Sequence, residues 1–451
     1  MTLRFGTDGV RGVANAELTP ELTLALGRAA ARVLAPSSSR STLLVGRDTR
    51  QSGPLLGAAL AAGLTAEGID VVDLGVLPTP GVAHAAAADG VAAAMISASH
   101  NPFPDNGIKF FATGGRKLAD EVERRIEGEL DRILASTPDV AVPTGADVGH
   151  VRIASDAADR YCDSLVASLE GRRLDGMRIV LDCANGAAHL VAPSVFRRLG
   201  ADVVVLHDRP TGTNINDGCG STHPSDLQAA VVAHAAAVGF AFDGDADRML
   251  AVDHAGELVD GDQLMAMMAV DLRDRGRLVA DTVVVTVMTN LGFKLAMRDA
   301  GVTVVETAVG DRYVLEAIEE GGFSLGGEQS GHLIFRDHAS TGDGTLSGLL
   351  VADLVARSGR PLSQHAAVMT RLPQILRNVR GVNRAGLDAA DALWAAVRRE
   401  EAGLGESGRV LLRPSGTEPL VRVMVEAPTA ALADAVCSRL CAIVERELPL
   451  S

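Results

Sequence analysis

Residues 177–183 read MRIVLDC, residues 201–208 read ADVVVLHD, and residues 238–248 read VGFAFDGDADR. Each opens as a short, β-branched or apolar run of strand length. The stretch up to Leu199 and the segment SDLQAAVVAHAAA (Ser225–Ala237) lie between them and read as helices. Strands alternating with helices favour an α/β layer rather than an all-β or all-α packing. The last strand of the set runs straight into a polar, glycine-bearing loop.

The same arrangement occurs twice more. Towards the N-terminus come STLLVGRD (Ser41–Asp48), a helical stretch through Glu67, the strand IDVVDLG, the helical HAAAADG, and a strand running into ISASHNP. Towards the C-terminus come TVVVTVM (Thr282–Met288), a helix over FKLAMRDAG, the strand VTVVETA, the helix DRYVLEAIEEGG, and FSLGGEQSGH. Ligands of such sheets bind beyond the carboxyl ends of the strands. The three polar loops are therefore expected to converge on one cleft, unless their shared composition is coincidence. From about Arg371 the pattern changes to strand, helix, strand (GRVLLRPSGTEP), strand (LVRVMVEA) and helix, a smaller α+β domain with a loop of its own.

Composition narrows the function classes. A chain of 451 residues is too long for one ordinary core, so two to four domains are expected. Hydrophobic residues at 47% and charged residues at 22% are globular rather than disordered values. A net charge of −15 argues against a nucleic-acid partner, although a few local arginines can still serve an anionic substrate. No secretory signal opens the sequence, and the alanine-rich piece Ala83–Met95 is interrupted by Asp89 and Gly90, so no membrane partner is expected. Five scattered cysteines without CxxC spacing suit a reducing, cytoplasmic setting better than a disulfide framework or a zinc site. Cys437 and Cys441 share a helical face and read as core.

The loops carry the chemistry. ISASHNPFPDNGIKFF (Ile96–Phe111) holds Ser97, Ser99, His100, Asn101 and Lys109. A serine after a strand is either a turn hydroxyl or a nucleophile, and as a nucleophile it needs an activating neighbourhood. Lys109 is one of only three lysines, with Lys117 and Lys294, in a chain that otherwise uses arginine. Arginine keeps its proton at working pH whereas a desolvated lysine can release one, so Lys109 hints at proton transfer. In FDGDADRM (Phe242–Met249), Asp243, Asp245 and Asp247 stand at every second position. Such a set repels itself unless solvated or held by a cation, and all-oxygen ligation suits Mg²⁺. A calcium loop starting at Asp243 is excluded, because its sixth and twelfth places hold Arg248 and His254 instead of glycine and glutamate. GGEQSGH (Gly326–His332) offers Glu328 and Ser330 to sugar hydroxyls, and His332 can move a proton near neutral pH. RPSGTEP (Arg413–Pro419), followed by Arg422, suits a phosphate, with guanidinium, hydroxyl and backbone N–H donors together. In FGTDGVRG, Arg11 lies between glycines and reads as a loop residue able to reach a phosphate.

As an ordered set, GTDGVRG, ISASHNPFPDNGIKFF, NINDGCGSTHP, GGEQSGH and RPSGTEPLVRVMVEA resemble the α-D-phosphohexomutase family over essentially the whole chain. The resemblance implies an α/β fold: three related α/β domains with mixed sheets and a smaller C-terminal α+β domain around a central cleft. The expected spans are 1–150, 151–254, 255–368 and 369–451. Within the family the motifs look most like the members that interconvert glucosamine 6-phosphate and glucosamine 1-phosphate, a step toward UDP-N-acetylglucosamine and the cell wall. A mannose- or glucose-phosphate mutase is the nearest alternative, and a sugar-phosphate phosphatase or a non-enzymatic sensor the alternatives from other classes. Ser99 matches the family's phosphoserine, and Asp243, Asp245 and Asp247, with a phosphoserine oxygen, match its site for one Mg²⁺. Lys109 and His332 match the acid/base pair, Glu328 and Ser330 the sugar-contacting loop, and Arg413, Ser415, Gly416 and Thr417 the loop holding the phosphate that stays in place. Arg11, His100 and Arg248 match positions around the phosphoserine. A sugar 1,6-bisphosphate is the expected primer, and monomer and homodimer both stay open. Two positions depart from the family pattern: Ala246 replaces a glycine of DGDGDR, and Asp311 stands where the mannose/glucose enzymes often carry histidine.

Overall fold

The repeated strand–helix pattern becomes one topology used three times. The computed structural model describes residues 5–6, 9–34, 41–135, 142–415 and 420–450. In the first sheet, Asp70–Val76, Thr42–Arg47 and Ala92–Ile96 run parallel, and Asp105–Ala112 returns antiparallel beside Ala92–Ile96. The second repeats this with Asp202–Leu206, Arg178–Asp182, Val238–Phe242 and the returning Met249–Asp253. The third uses Thr303–Thr307, Thr282–Thr286, Leu325–Gly327 and the returning Leu333–Phe335. The inner strands Ala92–Ile96, Val238–Phe242 and Thr282–Thr286 are buried along their whole lengths. Such burial is what continuous Val/Ala/Phe runs in a parallel sheet require, with helices covering both faces.

The sheets extend at their edges. Val10–Val13 pairs antiparallel with Asp105–Ala112, setting Arg11 opposite Gly107, so Arg11 belongs to a strand rather than the loop expected from its glycine neighbours. Val151–Ile153 adds parallel to Asp70–Val76, so the first sheet takes in residues just beyond position 150. Arg116–Lys117 folds back on Asp105–Ala112, and Leu258–Val259 pairs with Met249–Asp253.

Two compact units result. The first comprises Met1–Val287 and Thr303–Ala366 and holds these three sheets. The second comprises Met288–Val302 and Ala367–Ser451. Its sheet is antiparallel, with Leu420–Glu426 between Gln374–Arg380 and Arg409–Pro414. The helices Asp391–Leu404 and Ala430–Glu447 share one core with it, built on Leu393, Val421, Val423, Cys437 and Leu440. Inside this unit the buried Glu426 ties chain segments together: it accepts from Asn290 and from the Leu291 N–H, and pairs with Arg409 at 2.9 Å. No helix of the described residues is long and apolar enough to cross a membrane.

Candidate active site

The three polar loops occupy the same topological position. Each joins the last parallel strand of its sheet to the antiparallel return, and so emerges at the carboxyl edge: after Ile96, after Phe242 and after Gly327. In the first loop Ser99 takes a left-handed backbone, φ 51°, and is only 1% exposed. Its N–H donates to Ser97 Oγ at 2.9 Å, and Ser97 Oγ donates to Asp48 at 2.7 Å. Arg50, fully buried, pairs with Asp48 and gives its remaining donors to the carbonyls of Ser99, Asn101, Pro102 and Asp105. Asn216 donates to two of the same carbonyls, those of Ser99 and Asn101. The left-handed turn is thus held by side chains that come from distant parts of the chain.

Ser99 Oγ donates to Asp243 Oδ2 at 2.5 Å. Asp243, Asp245 and Asp247 are all buried, and one ligand atom from each lies within 4.8 Å of the others. Thr79 Oγ1 and Lys109 Nζ both reach Asp245 Oδ2, at 2.6 and 2.9 Å, and Lys109 stands 3.7 Å from Asp247. Asp245 Oδ1 and Asp247 Oδ1 remain buried without a hydrogen bond. Burial and the charges of Asp247 and Asp245 push Asp243 well above the ordinary carboxylate range. Burial also works against the charge on Asp247, but Lys109, His332 and Arg248 hold its pKa down. Three carboxylates crowd together here, charge on Asp243 is disfavoured by the other two, and two of their buried oxygens lack a donor. A hard divalent cation relieves both, so the donor set fits Mg²⁺. Ala246, which replaces the family's glycine, adopts φ 56°; the left-handed geometry is kept without the residue that adopts it freely.

Arg248 and His100 close one side of the serine, with Arg248 Nη1 3.2 Å from His100 Nδ1 and His100 Nδ1 3.4 Å from Ser99 Oγ. Burial, followed by the charges of Arg248 and Arg11, lowers the pKa of His100. Arg11 Nη1 reaches the Ala98 carbonyl at 3.5 Å. In the third loop Glu328 is half-buried and accepts from the Gly310 N–H at 3.2 Å, while Ser330 is exposed. His332 is 1% exposed and stands between Asp247, 3.8 Å from Nδ1, and Asp311, 3.6 Å from Nε2. Because Nε2 accepts the Gly342 N–H, the imidazole proton belongs on Nδ1, facing Asp247. Burial opposes its charge, yet Asp247 and Asp311 raise its pKa.

In the second unit, Arg413 and Arg422 are direct cross-strand partners. Burial and Arg422 lower the pKa of Arg413. Like charges set opposite each other are unfavourable unless an anion lies between them. Ser415 is buried, its N–H donates to the Leu420 carbonyl at 3.0 Å, and Arg384 bonds its carbonyl. Gly416 and Thr417, also expected in this loop, lie outside the described residues.

Sequence reasoning missed Asp48, Arg50, Thr79 and, as an individual residue, Asn216. The motif NINDGCGSTHP carried a signal for Asn216; nothing local marks an arginine whose targets are backbone carbonyls about 50 positions away. A second cluster, Asp182, His207 and Cys219, also comes together. There Asp182 accepts the N–H groups of Ala184 and Gly220 and stands 3.0 Å from His207 Nδ1, which accounts for its burial.

Sequence profiles of four consecutive domains match the chain. Those described as phosphoglucomutase/phosphomannomutase alpha/beta/alpha domains I, II and III cover residues 2–136, 159–256 and 260–372, and that of the C-terminal domain covers 376–443. The chain belongs to the phosphoglucomutase/phosphomannomutase family. Among curated relatives of this family, the phosphoglucosamine mutase of Frankia alni is 58% identical over 458 residues, covering 100% of this chain and 99% of that protein. The phosphoglucosamine mutase of Streptomyces avermitilis is 56% identical, covering 98% and 99%. A crystal structure of a family protein from Burkholderia thailandensis superposes with a TM-score of 0.82 at 26% identity, covering 98% of this chain and 99% of that one. N-acetylphosphoglucosamine mutase of Aspergillus fumigatus, solved with GlcNAc-6P and magnesium, shares the fold with a TM-score of 0.72 at 19% identity, covering 99% and 96%.

Proposed function

We propose that this chain interconverts glucosamine 6-phosphate and glucosamine 1-phosphate through a phosphorylated Ser99, a step toward UDP-N-acetylglucosamine. The family membership makes it a phosphosugar mutase. The choice of sugar rests on relatives, phosphoglucosamine mutases, that match it from end to end. The observation that carries the mechanism is the 2.5 Å contact between Ser99 Oγ and Asp243 inside a buried, all-oxygen cluster.

In the forward direction, the bond between phosphorus and Ser99 Oγ breaks while a bond forms to the free hydroxyl of the bound monophosphate. The hydroxyl proton passes to Lys109 or His332, and the product is a bisphosphorylated sugar. That sugar turns around, Ser99 accepts the other phosphoryl group, and the proton returns. Asp243, Asp245, Asp247 and a phosphoserine oxygen would hold one Mg²⁺, which when bound neutralises charge on the transferring group. Arg11, His100 and Arg248 orient the phosphoserine, and Glu328 and Ser330 orient the sugar. Arg413, Ser415, Gly416, Thr417 and Arg422 hold the phosphate that is not transferred. Positioning and charge supply most of the rate, because the transition state of phosphoryl transfer leaves little covalent work to the protein.

The test pairs an assay with a mass measurement. Protein primed with a sugar 1,6-bisphosphate and Mg²⁺ is given glucosamine, glucose and mannose phosphates, and intact mass reports the phosphoserine. The glucosamine pair should have the highest kcat/KM, and Ser99→Ala should lose both turnover and the added phosphate mass. A Ser99→Ala protein that still turns over contradicts the mechanism; a preference for mannose or glucose phosphates contradicts the substrate; release of free phosphate in place of isomerisation marks a phosphatase.

A further inference from the structure

Lys117 takes no part in the chemistry above, yet its side chain is 9% exposed in a chain with only three lysines. It sits on Arg116–Lys117, the short strand that folds back on the first sheet, and its Nζ bonds Asp311 Oδ2. Asp311 is the first residue of the helix Asp311–Gly321. The neighbouring Arg312 repeats the tie, reaching Glu123 at 2.8 Å. The start of a helix in the third sheet's repeat is therefore pinned twice to a segment of the first.

That helix start carries an N–H with a task. Gly310, immediately before it, has φ 135°, a backbone only glycine adopts readily, and its N–H donates to Glu328 Oε1 at 3.2 Å. The same Asp311 oxygen that Lys117 bonds stands 3.6 Å from His332 Nε2. Asp311 is therefore the residue that joins the Lys117 tie to the neighbouring Gly310 N–H.

We infer that Lys117 is a positioning residue: through Asp311 and the Gly310 N–H it fixes the direction of the Glu328 carboxylate toward the sugar. This rests on the proposed role of Glu328 in holding the sugar. Because a hydroxyl contact of that kind serves ground and transition states alike, its loss raises KM and leaves kcat.

The experiment measures steady-state turnover of glucosamine 6-phosphate by full-length, bisphosphate-primed protein. Lys117→Met should raise KM about tenfold, the scale of one misdirected charged hydrogen bond, with kcat within about twofold of the parent. Asp311→Asn should raise KM to a similar extent, with kcat free to fall because the same carboxylate faces His332, and the KM of the double variant should be no worse than that of either single one, because both cut one linkage. Lys117→Arg keeps the charge and should restore KM to within about twofold. An unchanged KM in Lys117→Met, a fall in kcat at constant KM, or KM effects that multiply in the double variant would each overturn the assignment. Should Lys117→Met fail to fold, the near-isosteric Asp311→Asn decides alone, and a parental KM there overturns it. Parent protein without mutase turnover refutes the functional reading itself; parental turnover with an unshifted KM in the variants refutes only the positioning role.

Discussion

Substituting Gly244 by alanine tests whether the serine loop and the aspartate loop act as one object. Gly244 lies between Asp243 and Asp245, and its backbone is packed against the serine loop. A Cβ placed there meets the Ser99 carbonyl oxygen at 2.5 Å, Ile215 Cδ1 at 2.8 Å and Asn216 Nδ2 at 2.9 Å. The carbonyl contact falls short of ordinary van der Waals separation, which begins at 3.4 Å, by about 0.9 Å. Backbone cannot rotate out of the way as a side-chain tip can, and hydrogen bonds from Arg50 and Asn216 hold the same carbonyl in place. The two loops must therefore part by most of that distance, stretching the 2.5 Å link between Ser99 and Asp243. A misplacement near 1 Å in a positioned reaction costs about 10²-fold in rate, and the overpacking costs about 1–3 kcal/mol of stability. In the mutase assay Gly244→Ala should lose about 10²-fold in kcat, with KM for the sugar phosphate changed far less. A Gly128→Ala control meets nothing within 4 Å and should behave as the parent. Parental kcat in a folded Gly244→Ala protein would refute the picture of two loops locked in register.

Three further outcomes follow from the same geometry. Asp245→Asn removes the charge that Lys109 and Thr79 share, and should abolish both turnover and measurable Mg²⁺ affinity by calorimetry; unaltered Mg²⁺ binding counts against the cluster as the cation site. Arg413→Ala should raise KM about 10–100-fold, the range of one charged hydrogen-bond pair, while kcat stays close to parental; a fall in kcat at constant KM would give Arg413 a chemical role. Asp343 is buried, its carboxyl is pushed up to about 6 by that burial, and it accepts from Tyr161 at 2.7 Å and from the Leu346 N–H at 2.9 Å. The folded state holds this proton more tightly than the unfolded one, so the stabilisation is present in full below the ordinary carboxylate pKa and fades as pH rises through about 6. Asp343→Asn should flatten the decline in Tm between about pH 4 and pH 7; an unchanged slope would show that the carboxyl is not buried as described.

Much of the architecture was legible because the inner strands are buried on both faces and so print continuous Val, Ala and Phe runs. The fourth strand of each sheet was not. Leu333–Phe335 is only three residues long, and Asp105–Ala112 follows so closely on the serine motif that it read as part of the loop. Arg11 read as a loop residue because glycines flank it, but strand pairing with Asp105–Ala112 overrode that local preference. The site divides along the same line. Ser99, Lys109 and the three aspartates announce themselves through residue type and spacing. Arg50, Thr79 and Asn216 act through contacts with carbonyls and carboxylates far away in sequence, which no local pattern encodes. Ala246 departs from the family's glycine, yet its backbone keeps the left-handed turn, φ 56°.

The hairpin position shared by the serine, aspartate and GGEQSGH loops divides labour in a way that matters for how such a protein changes. Each loop is anchored at both ends by neighbouring, hydrogen-bonded strands, so its length and contents can vary without disturbing the layer beneath. On the proposed roles, nucleophile, cation seat and sugar grip would occupy three copies of one socket, the first two interlocked by the Ser99–Asp243 contact and the third tied to them by His332 beside Asp247. Selection for a new hexose would then rewrite Glu328 and Ser330 while keeping His332 and the phosphoryl-handling pair intact.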